Sequence, residues 1–397
     1  MKKTLSLVLT LTALLLIGCN SQQSLQVMHV RSMENQAGKQ GFYYSLPRTM
    51  VSVDVTVTRT EKQPGPFAGY ADRYLGLKEV IHDHAVTYQI SEININSYSE
   101  PDPSHFYFVE ADPENWEENP IYLALSQSGL ISSVNTPFDS QEFFKGIPET
   151  KEYGFFGTEA TFNYFIDHNL REQIDTIVEH VRVDTITVER QTLRRSWVEK
   201  SMDIRAKDVA EFILNIRDKK FDLISGFAEI PYSKEALEYM YTEMEEMEND
   251  YLDLFTGITS TSTLRYRFTW MPDKDRAGSP APLFHFSTLE GVLPAGNENG
   301  IPVTIEATRT EATRQAGLYM DRNEDPRQPS KGFQYRIPEH GNVIIREGQN
   351  IRAEARMLIN QFGITGTLPA LDMEIKFFPN TGSIESVGRL KTEEERN

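Results

Sequence analysis

The segment MVSVDVTVTRT, which runs from Met50 to Thr60, alternates valine with polar residues along most of its length. Successive side chains of a β-strand point to opposite faces of the sheet, so this alternation predicts a strand with one buried face and one wet face. Similar segments lie further along the chain. The sequence therefore predicts a fold that is built mainly from antiparallel β-sheets.

Other strands are predicted from alternation and from turn residues between apolar segments. In AVTYQISEININS (residues 85–97) the apolar positions change parity near Ser91, which predicts a β-bulge. Hairpin turns are predicted near Gly129 and over residues 379–382. A long β-run is expected over residues 174–189.

The apolar period becomes helical between the strand-rich parts. Apolar side chains in residues 206–221 share one helical face. A second helix is predicted over residues 233–257, with Ser233 as its N-cap and Gly257 just past its end. The glutamates on its outer face are expected to be solvated, and a partner-binding or metal-loading acidic helix is the alternative.

These features predict an α+β, mainly β fold. It has two antiparallel β regions, residues 41–200 and 258–397, with an inserted helical hairpin over residues 201–257. The segments GFYYSLP (41–47) and GFQYRIP (332–338) share the pattern G-F-x-Y-x-aliphatic-P. The two β regions are therefore candidate copies of one module.

The N-terminus has the layout of a secretion signal. Two lysines precede an apolar run over residues 5–17, which is too short to span a membrane comfortably. The run ends in Leu-Ile-Gly-Cys, which resembles the bacterial lipobox, where the cysteine is lipidated and becomes the first residue of the mature protein. The sequence predicts a signal peptide over residues 1–18, a lipid anchor on Cys19 and a tether over residues 19–40.

Charge and cysteine content limit the function. The net charge of -18 at pH 7 repels phosphate backbones, so nucleic acid is not an expected partner. Cys19 is the only cysteine, so the chain has no intramolecular disulfide and no cysteine nucleophile once this residue is lipidated.

The stretch EKQPGPFAGYADRYLG, from Glu61 to Gly76, lacks the glycine spacing of a phosphate-binding loop. Its proline, its aromatic face and its final glycine predict a short amphipathic helix that ends at Gly76 and covers one edge of the Val51–Val57 strand.

The pattern His82-Asp83-His84 is the best metal-like signal. On a strand the two imidazoles would project to the same face and could share a transition metal such as zinc, so His82 and His84 are the candidate ligands. No third ligand lies nearby in the sequence, and a surface histidine pair is the competing interpretation. No G-x-S-x-G or H-E-x-x-H motif occurs, and the sequence predicts no catalytic residue, no cofactor-binding residue and no cofactor.

Four segments together resemble a known family. They are YSLPRTMVSVDVTVTRTEKQPGPFAGYADRYLG, SWVEKSMDIRAKDVAEFILNIRDKKFDLISG, NDYLDLFTG and GFQYRIP. The chain from Gly41 to about Val387 is similar to the Bacteroidetes lipoproteins catalogued as domain of unknown function 4831. The resemblance implies a cell-envelope protein that forms a single family-length unit, and it brings no assigned activity and no catalytic residues.

The residues after Cys19 are neutral, whereas surface-exported lipoproteins of this lineage tend to carry acidic residues there. By analogy, Asn20 favours an outer-membrane lipoprotein that faces the periplasm. The expected function is non-enzymatic binding or scaffolding of an envelope protein or glycan. The alternatives are a periplasmic hydrolase that acts on carbohydrate or peptidoglycan with paired carboxylates, and a small-ligand or metal-binding lipoprotein.

Overall fold

The computed structural model of the protein describes residues 26–30, 40–110, 121–136, 154–156, 161–162, 170–183, 186–225, 232–320, 332–369 and 373–389. The strands are β1 (Val27–His29), β2 (Gly41–Gln63), β3 (Ala85–Glu110), β4 (Leu123–Leu125), β5 (Ile131–Val134), β6 (Gly154–Phe156), β7 (Leu170–Val183), β8 (Ile186–Glu199), β9 (Ile258–Trp270), β10 (Ala281–Ser287), β11 (Gly291–Leu293), β12 (Ile301–Arg309), β13 (Phe333–Glu347), β14 (Asn350–Leu368), β15 (Met373–Phe378) and β16 (Ser383–Arg389). The helices are α1 (Ala71–Leu75), which follows a 3-10 turn at Ala68–Tyr70, α2 (Met202–Ser225), α3 (Lys234–Thr256) and α4 (Arg314–Met320). The predicted α+β, mainly β class is confirmed.

The first sheet contains the strand on which the fold prediction rests. Its order is β1-β3-β2-β9-β6, and β2 and β3 form a long antiparallel hairpin. The alternate valines of β2, from Val51 to Val57, are buried as predicted. The bulge predicted at Ser91 is also present, because Thr56 pairs with Glu92 whereas Val57 pairs with Ile90.

The second sheet, in the order β11-β10-β12-β13-β14, packs against the first. Buried side chains of both sheets meet in the largest apolar core: Val51, Val53, Val55, Val57, Ile90, Phe284, Phe286, Val303, Ile305, Ala307, Val343, Ile345, Ile359 and Phe362. The alternation of each strand thus supplies one wall of a β-sandwich.

A third sheet, in the order β16-β15-β5-β4, covers the two long hairpins β2–β3 and β13–β14 at the end where β2 and β13 begin. Its Ile131, Val134, Ile375 and Phe377 pack with Tyr44 in a second core. Two of the sheets contain strands from both predicted β regions, 41–200 and 258–397. Strand β9 pairs with β2, and β15 pairs with β5. Strand β1 pairs with β3, so three residues of the segment predicted as a tether belong to the first sheet.

The helical hairpin has the predicted ends. The side chain of Ser233 accepts a hydrogen bond from the amide of Ala236 at 3.3 Å, and Gly257 has a φ of +83°. The helical turn before Gly76 is confirmed, and Gly76 has the left-handed φ of +68°. Its predicted position was wrong, however, since β3 and β9 already pair with both edges of the Val51–Val57 strand.

The turn packs on the helical hairpin instead. The amide of Phe67 donates to the carbonyl of Leu254 at 2.9 Å, and the rings of Phe67 and Phe255 lie 5.5 Å apart. Ala206 and Ala210 of α2 complete this third core.

The two copies of the G-F-x-Y-x-aliphatic-P pattern start β2 and β13, and each strand begins a long hairpin. Both hairpins carry a bulge of four residues opposite or next to the motif proline. Residues 102–105 of β3 bulge between the pairs Ser45–Phe106 and Pro47–Pro101. Residues 360–363 of β14 bulge between the pairs Ile337–Ile364 and Glu339–Ile359. A common origin of the two copies stays a prediction, and the matched bulges support it.

Candidate functional site

A cleft of about 360 Å³ lies where β12, β13 and β14 meet α4 and the loop after β9. This volume is typical of small-molecule sites, which occupy about 300–1,000 Å³. Its charged and titratable lining residues are Lys274, Arg309, Arg314, Arg336 and His105. The cleft therefore presents cationic groups in a chain whose net charge is -18.

Arg336 lies at the base of the cleft and is almost completely buried, with 4% of its surface exposed. It connects the two bulges: Nη1 donates to the carbonyl of Asn360 at 3.1 Å, and Nη2 donates to the carboxylate of Asp102. Nδ1 of His105 lies 2.8 Å from the same carboxylate, whose other oxygen accepts from the amide of Ser104 at 2.9 Å. β-Bulges are common beside functional sites because they redirect side chains, and here two of them meet at one arginine.

Arg309 forms a second buried ion pair beside the first. Its Nη2 donates to Glu339 at 3.1 Å and to the carbonyl of Phe362 at 2.9 Å. Glu339 is 1% exposed and also accepts hydrogen bonds from the hydroxyls of Thr310 and Thr313. Arg336 and Arg309 are therefore both held in place by carboxylates beneath them.

The two hairpins also join directly. The Gln361 side chain pairs with the backbone of Thr49, donating to its carbonyl at 2.7 Å and accepting from its amide at 2.9 Å. The amide of Asn360 donates to the Thr49 hydroxyl at 3.0 Å. These bonds fix the bulge at residues 360–363 against β2.

The two carboxylates are ionised at neutral pH. Burial alone raises the pKa of Asp102, but hydrogen bonds from His105 and the Ser104 amide, with the charges of His105 and Arg336, lower it to about 2. Burial also raises the pKa of Glu339, and hydrogen bonds from Thr313 and Arg309 outweigh it, so the net pKa lies below its usual value.

A carboxylate hydrolase needs two carboxylates that converge in a cleft, one of which stays protonated as a general acid. Asp102 and Glu339 do not meet this requirement, because both have lowered pKa values and each is paired with an arginine. The geometry of this cleft suits holding an anion better than donating a proton.

The candidate metal ligands lie elsewhere. His82 and His84 precede β3 in an irregular segment, so the expected strand geometry was wrong. Nε2 of His84 lies 2.8 Å from Oε1 of Glu61, which gives this imidazole a carboxylate neighbour. Among the described residues, no three His, Cys, Asp or Glu side chains come together in a way that could hold a metal ion.

Cys19 and the predicted signal peptide lie outside the described residues. In the part of the chain that the structure covers, no helix is both long and apolar enough to cross a membrane.

A second candidate surface is the two-stranded ribbon formed by β7 and β8. The β-run predicted over residues 174–189 is divided between these two strands, which pair antiparallel with Val183 opposite Ile186. Neither strand packs extensively on another described element. Five apolar residues share one face and are between 44% and 69% exposed: Leu170, Ile174, Val178, Leu193 and Trp197. The same face also carries the ion pair Glu172–Arg195, and His180 beside Glu189.

The sequence did not reveal the cleft residues. One signal was present in the repeat, where the two copies differ: Ser45 occupies the position that Arg336 occupies in the second copy. Both positions are buried, and the Ser45 hydroxyl lies 3.4 Å from the carbonyl oxygen of Asp102. A charged residue inside an otherwise uncharged motif indicates a buried partner, but the motif does not show which residue that partner is.

Comparison with curated proteins and with solved structures gave no match. The sequence does match the family described as Domain of unknown function (DUF4831), over residues 40–161 and 172–385. The match includes both long hairpins, most of the ribbon, the helical hairpin and all the described cleft residues. The chain therefore belongs to the DUF4831 family.

Proposed function

We propose that the protein is a lipid-anchored, non-enzymatic binding protein of the cell envelope, and that the face of the β7–β8 ribbon that carries Leu193 and Trp197 docks a protein partner. The lipid on Cys19 would hold it at the outer membrane, with the folded part facing the periplasm. The lipobox-like end of the signal peptide supports the anchor, and the ribbon supports the binding role.

The exposed apolar side chains of the ribbon are the observation on which the binding proposal rests. A two-stranded sheet is marginally stable in water on its own, because it buries too little apolar surface. Leu193 and Trp197 are 64% and 69% exposed. If a partner covered them, each side chain would contribute up to about 1.5–3 kcal/mol to the free energy of binding. A partner that covers this face would stabilise both the ribbon and the complex.

The chemistry of the ribbon favours a protein over a glycan or a lipid surface. Sugars stack on aromatic rings, whereas four of the five exposed apolar residues are aliphatic. Elements that lie on membranes carry mainly basic residues on their polar side. Both faces here carry both signs: Asp175 lies opposite Arg194 and Glu179 opposite Arg190 on one face, and Glu172 pairs with Arg195 on the other.

Site-specific photo-cross-linking in cells tests the proposal. A cross-linker at Leu193 is expected to trap one partner of defined mass, and a cross-linker at Thr192 serves as the control because it lies next in the chain on the opposite face. The trapped protein, once purified, should bind the wild-type chain and should lose affinity for a Leu193→Ser, Trp197→Ser variant. Equal cross-linking from both positions, a glycan adduct, or a product that contains only this chain would contradict the protein-partner proposal.

Membrane attachment has a separate test. Cys19→Ser should move the protein from the membrane fraction to the soluble fraction, because a chain without the thiol cannot receive the lipid. Asn20→Ser is the matched control and should leave the protein in the membrane fraction. Membrane retention of the Cys19→Ser protein would argue against the anchor.

A further inference from the structure

The cleft between β12, β13, β14 and α4 does not depend on the ribbon. We propose that it binds a small organic anion through an oxyanion group, either a carboxylate or a phosphate. The proposal rests on the charge balance of the cleft, on its preorganised arginines and on its size.

The charge balance leaves the cleft with an excess of positive charge. Arg336 and Arg309 are matched by Asp102 and Glu339 beneath them, and Arg314 pairs with Glu311 at 2.8 Å. Lys274 also lines the cleft and makes no ion pair with any residue in the described part of the chain. An entering anion would therefore meet a cationic group without a counter-charge.

The two arginines also have unmet hydrogen-bonding capacity. The Nε atoms of Arg336 and Arg309 are buried and have no acceptor among the described residues. Buried donors without partners are rare, because each costs about 1–3 kcal/mol, so each one calls for an explanation such as a bound ion. A negative charge in the cleft would stabilise both guanidinium groups through electrostatic attraction, which is strong where water is partly excluded.

The site is built before any ligand arrives. Arg336 is fixed by Asp102 and the carbonyl of Asn360, and Arg309 is fixed by Glu339 and the carbonyl of Phe362. Binding an anion therefore requires little reordering of these side chains, which removes part of the usual entropic cost.

The uncharged residues of the lining indicate what kind of molecule would carry the oxyanion group. Besides the cations, the cleft includes Leu318, Ile364, Gly317 and Gly363, which offer no charge to a ligand. A molecule with one oxyanion group and a compact neutral body fits this mixture and the volume of about 360 Å³.

Calorimetric titration of the full mature protein tests the site with four probes: inorganic phosphate, phenyl phosphate, acetate and benzoate. All titrations use constant ionic strength, with chloride as the reference anion. At least one oxyanion should bind more tightly than chloride, and an organic probe should bind more tightly than the inorganic or smaller ion of the same class. Binding of the phosphates alone or of the carboxylates alone identifies the group, and both results support the site.

Matched charge variants localise the binding. Lys274→Gln and Arg314→Gln should each weaken binding by about fivefold to tenfold, because each removes a cation from the lining. Arg276→Gln makes the same charge change in the same loop as Lys274 but outside the lining, so its affinity should be unchanged. All three side chains are exposed, so the variants should fold, and an unchanged melting temperature without ligand checks this.

Two results would overturn the proposal. In the first, none of the four probes binds above the chloride reference. In the second, Arg276→Gln weakens binding as much as Lys274→Gln, which would mean that the probes respond to overall charge and not to the cleft.

Discussion

At the scale of single residues, Arg336 has the widest structural role of the cleft residues. It comes from β13, and it contacts the bulge of β3 through Asp102 and the bulge of β14 through Asn360. Buried ion pairs give little net stability, because desolvation offsets the attraction between the charges. Removing one member is costly, however, since the other charge then stays buried without a partner.

The first prediction concerns this pair. Arg336→Gln should lower the free energy of unfolding by about 3–5 kcal/mol, because it leaves the buried Asp102 carboxylate without its guanidinium partner. Urea denaturation measures the change. Arg73→Gln is the control, since Arg73 is 67% exposed and pairs with Asp203 at the surface, where an ion pair contributes less than about 1 kcal/mol. Equal effects of the two substitutions would contradict the buried role of Arg336.

The second prediction concerns acid. The folded-state pKa of Asp102 is lowered from 3.8 to about 2, so its ionisation stabilises the fold fully above the unfolded-state pKa. That contribution, about 2 kcal/mol, should be lost as the pH falls from about 4 through about 2. The measurement is the difference in unfolding free energy between the wild type and Asp102→Asn. This stability gap should shrink as the pH is lowered through this window. A gap that is constant with pH would show that the charge of Asp102 is not its source.

At the scale of elements, the helical hairpin shows local and tertiary effects together. Ser233 caps the start of α3, and Gly257 follows its end with a φ of +83°. Between the helices, Glu248 of α3 accepts from Arg217 at 2.6 Å and from Lys220 at 3.1 Å. The base of the hairpin is held by the core around Phe67 and Phe255.

The third prediction tests the cap. Ser233→Ala should lower the free energy of unfolding by about 1 kcal/mol, because the amide of Ala236 loses its acceptor. Thr242→Ala, on an exposed position inside the same helix, should be neutral or stabilising, since alanine has the higher helix propensity. Thermal or urea unfolding followed at a helical circular-dichroism band compares the two. A larger loss from Thr242→Ala would be inconsistent with the capping role.

At the scale of the whole molecule, the sheets join parts of the chain that are far apart. β9 follows the helical hairpin and pairs with β2, and β15 near the C-terminus pairs with β5. The main core takes buried residues from the first and second sheets, so it needs strands from both β regions. Neither region has a complete core of its own, and we expect the two to unfold together.

The fourth prediction follows from this arrangement. A fragment of residues 41–257 should fail to fold, because it lacks β9 and the whole second sheet. By contrast, replacing residues 170–199 with a short flexible linker should leave a folded protein, because the ribbon packs extensively on no other described element. Limited proteolysis and amide exchange distinguish the two proteins. A compact, protected 41–257 fragment would refute the shared-core interpretation.

Much of the fold was predictable because its signals are local. The valine alternation of β2, the bulge at Ser91, the cap at Ser233 and the stop at Gly76 each depend on residues within a few positions of one another. One prediction that depended on longer-range packing failed, and two others missed the local course of the backbone, at residues 82–84 and 174–189. The helical turn before Gly76 packs on the helical hairpin instead of a strand edge, and the run over residues 174–189 reverses into a ribbon.

The sequence by itself determined the β-rich class, the helical hairpin and its ends, the main turns and the family, since backbone preference and side-chain period act within short stretches. The anchor, the signal peptide and the envelope location are also inferences from sequence alone. Only the tertiary structure decided where the charged residues meet. Arg336 and Asp102 are 234 positions apart in the chain, and they come together because strand register and two bulges place them there. No local pattern encodes that meeting, so the cleft became visible only in the folded chain.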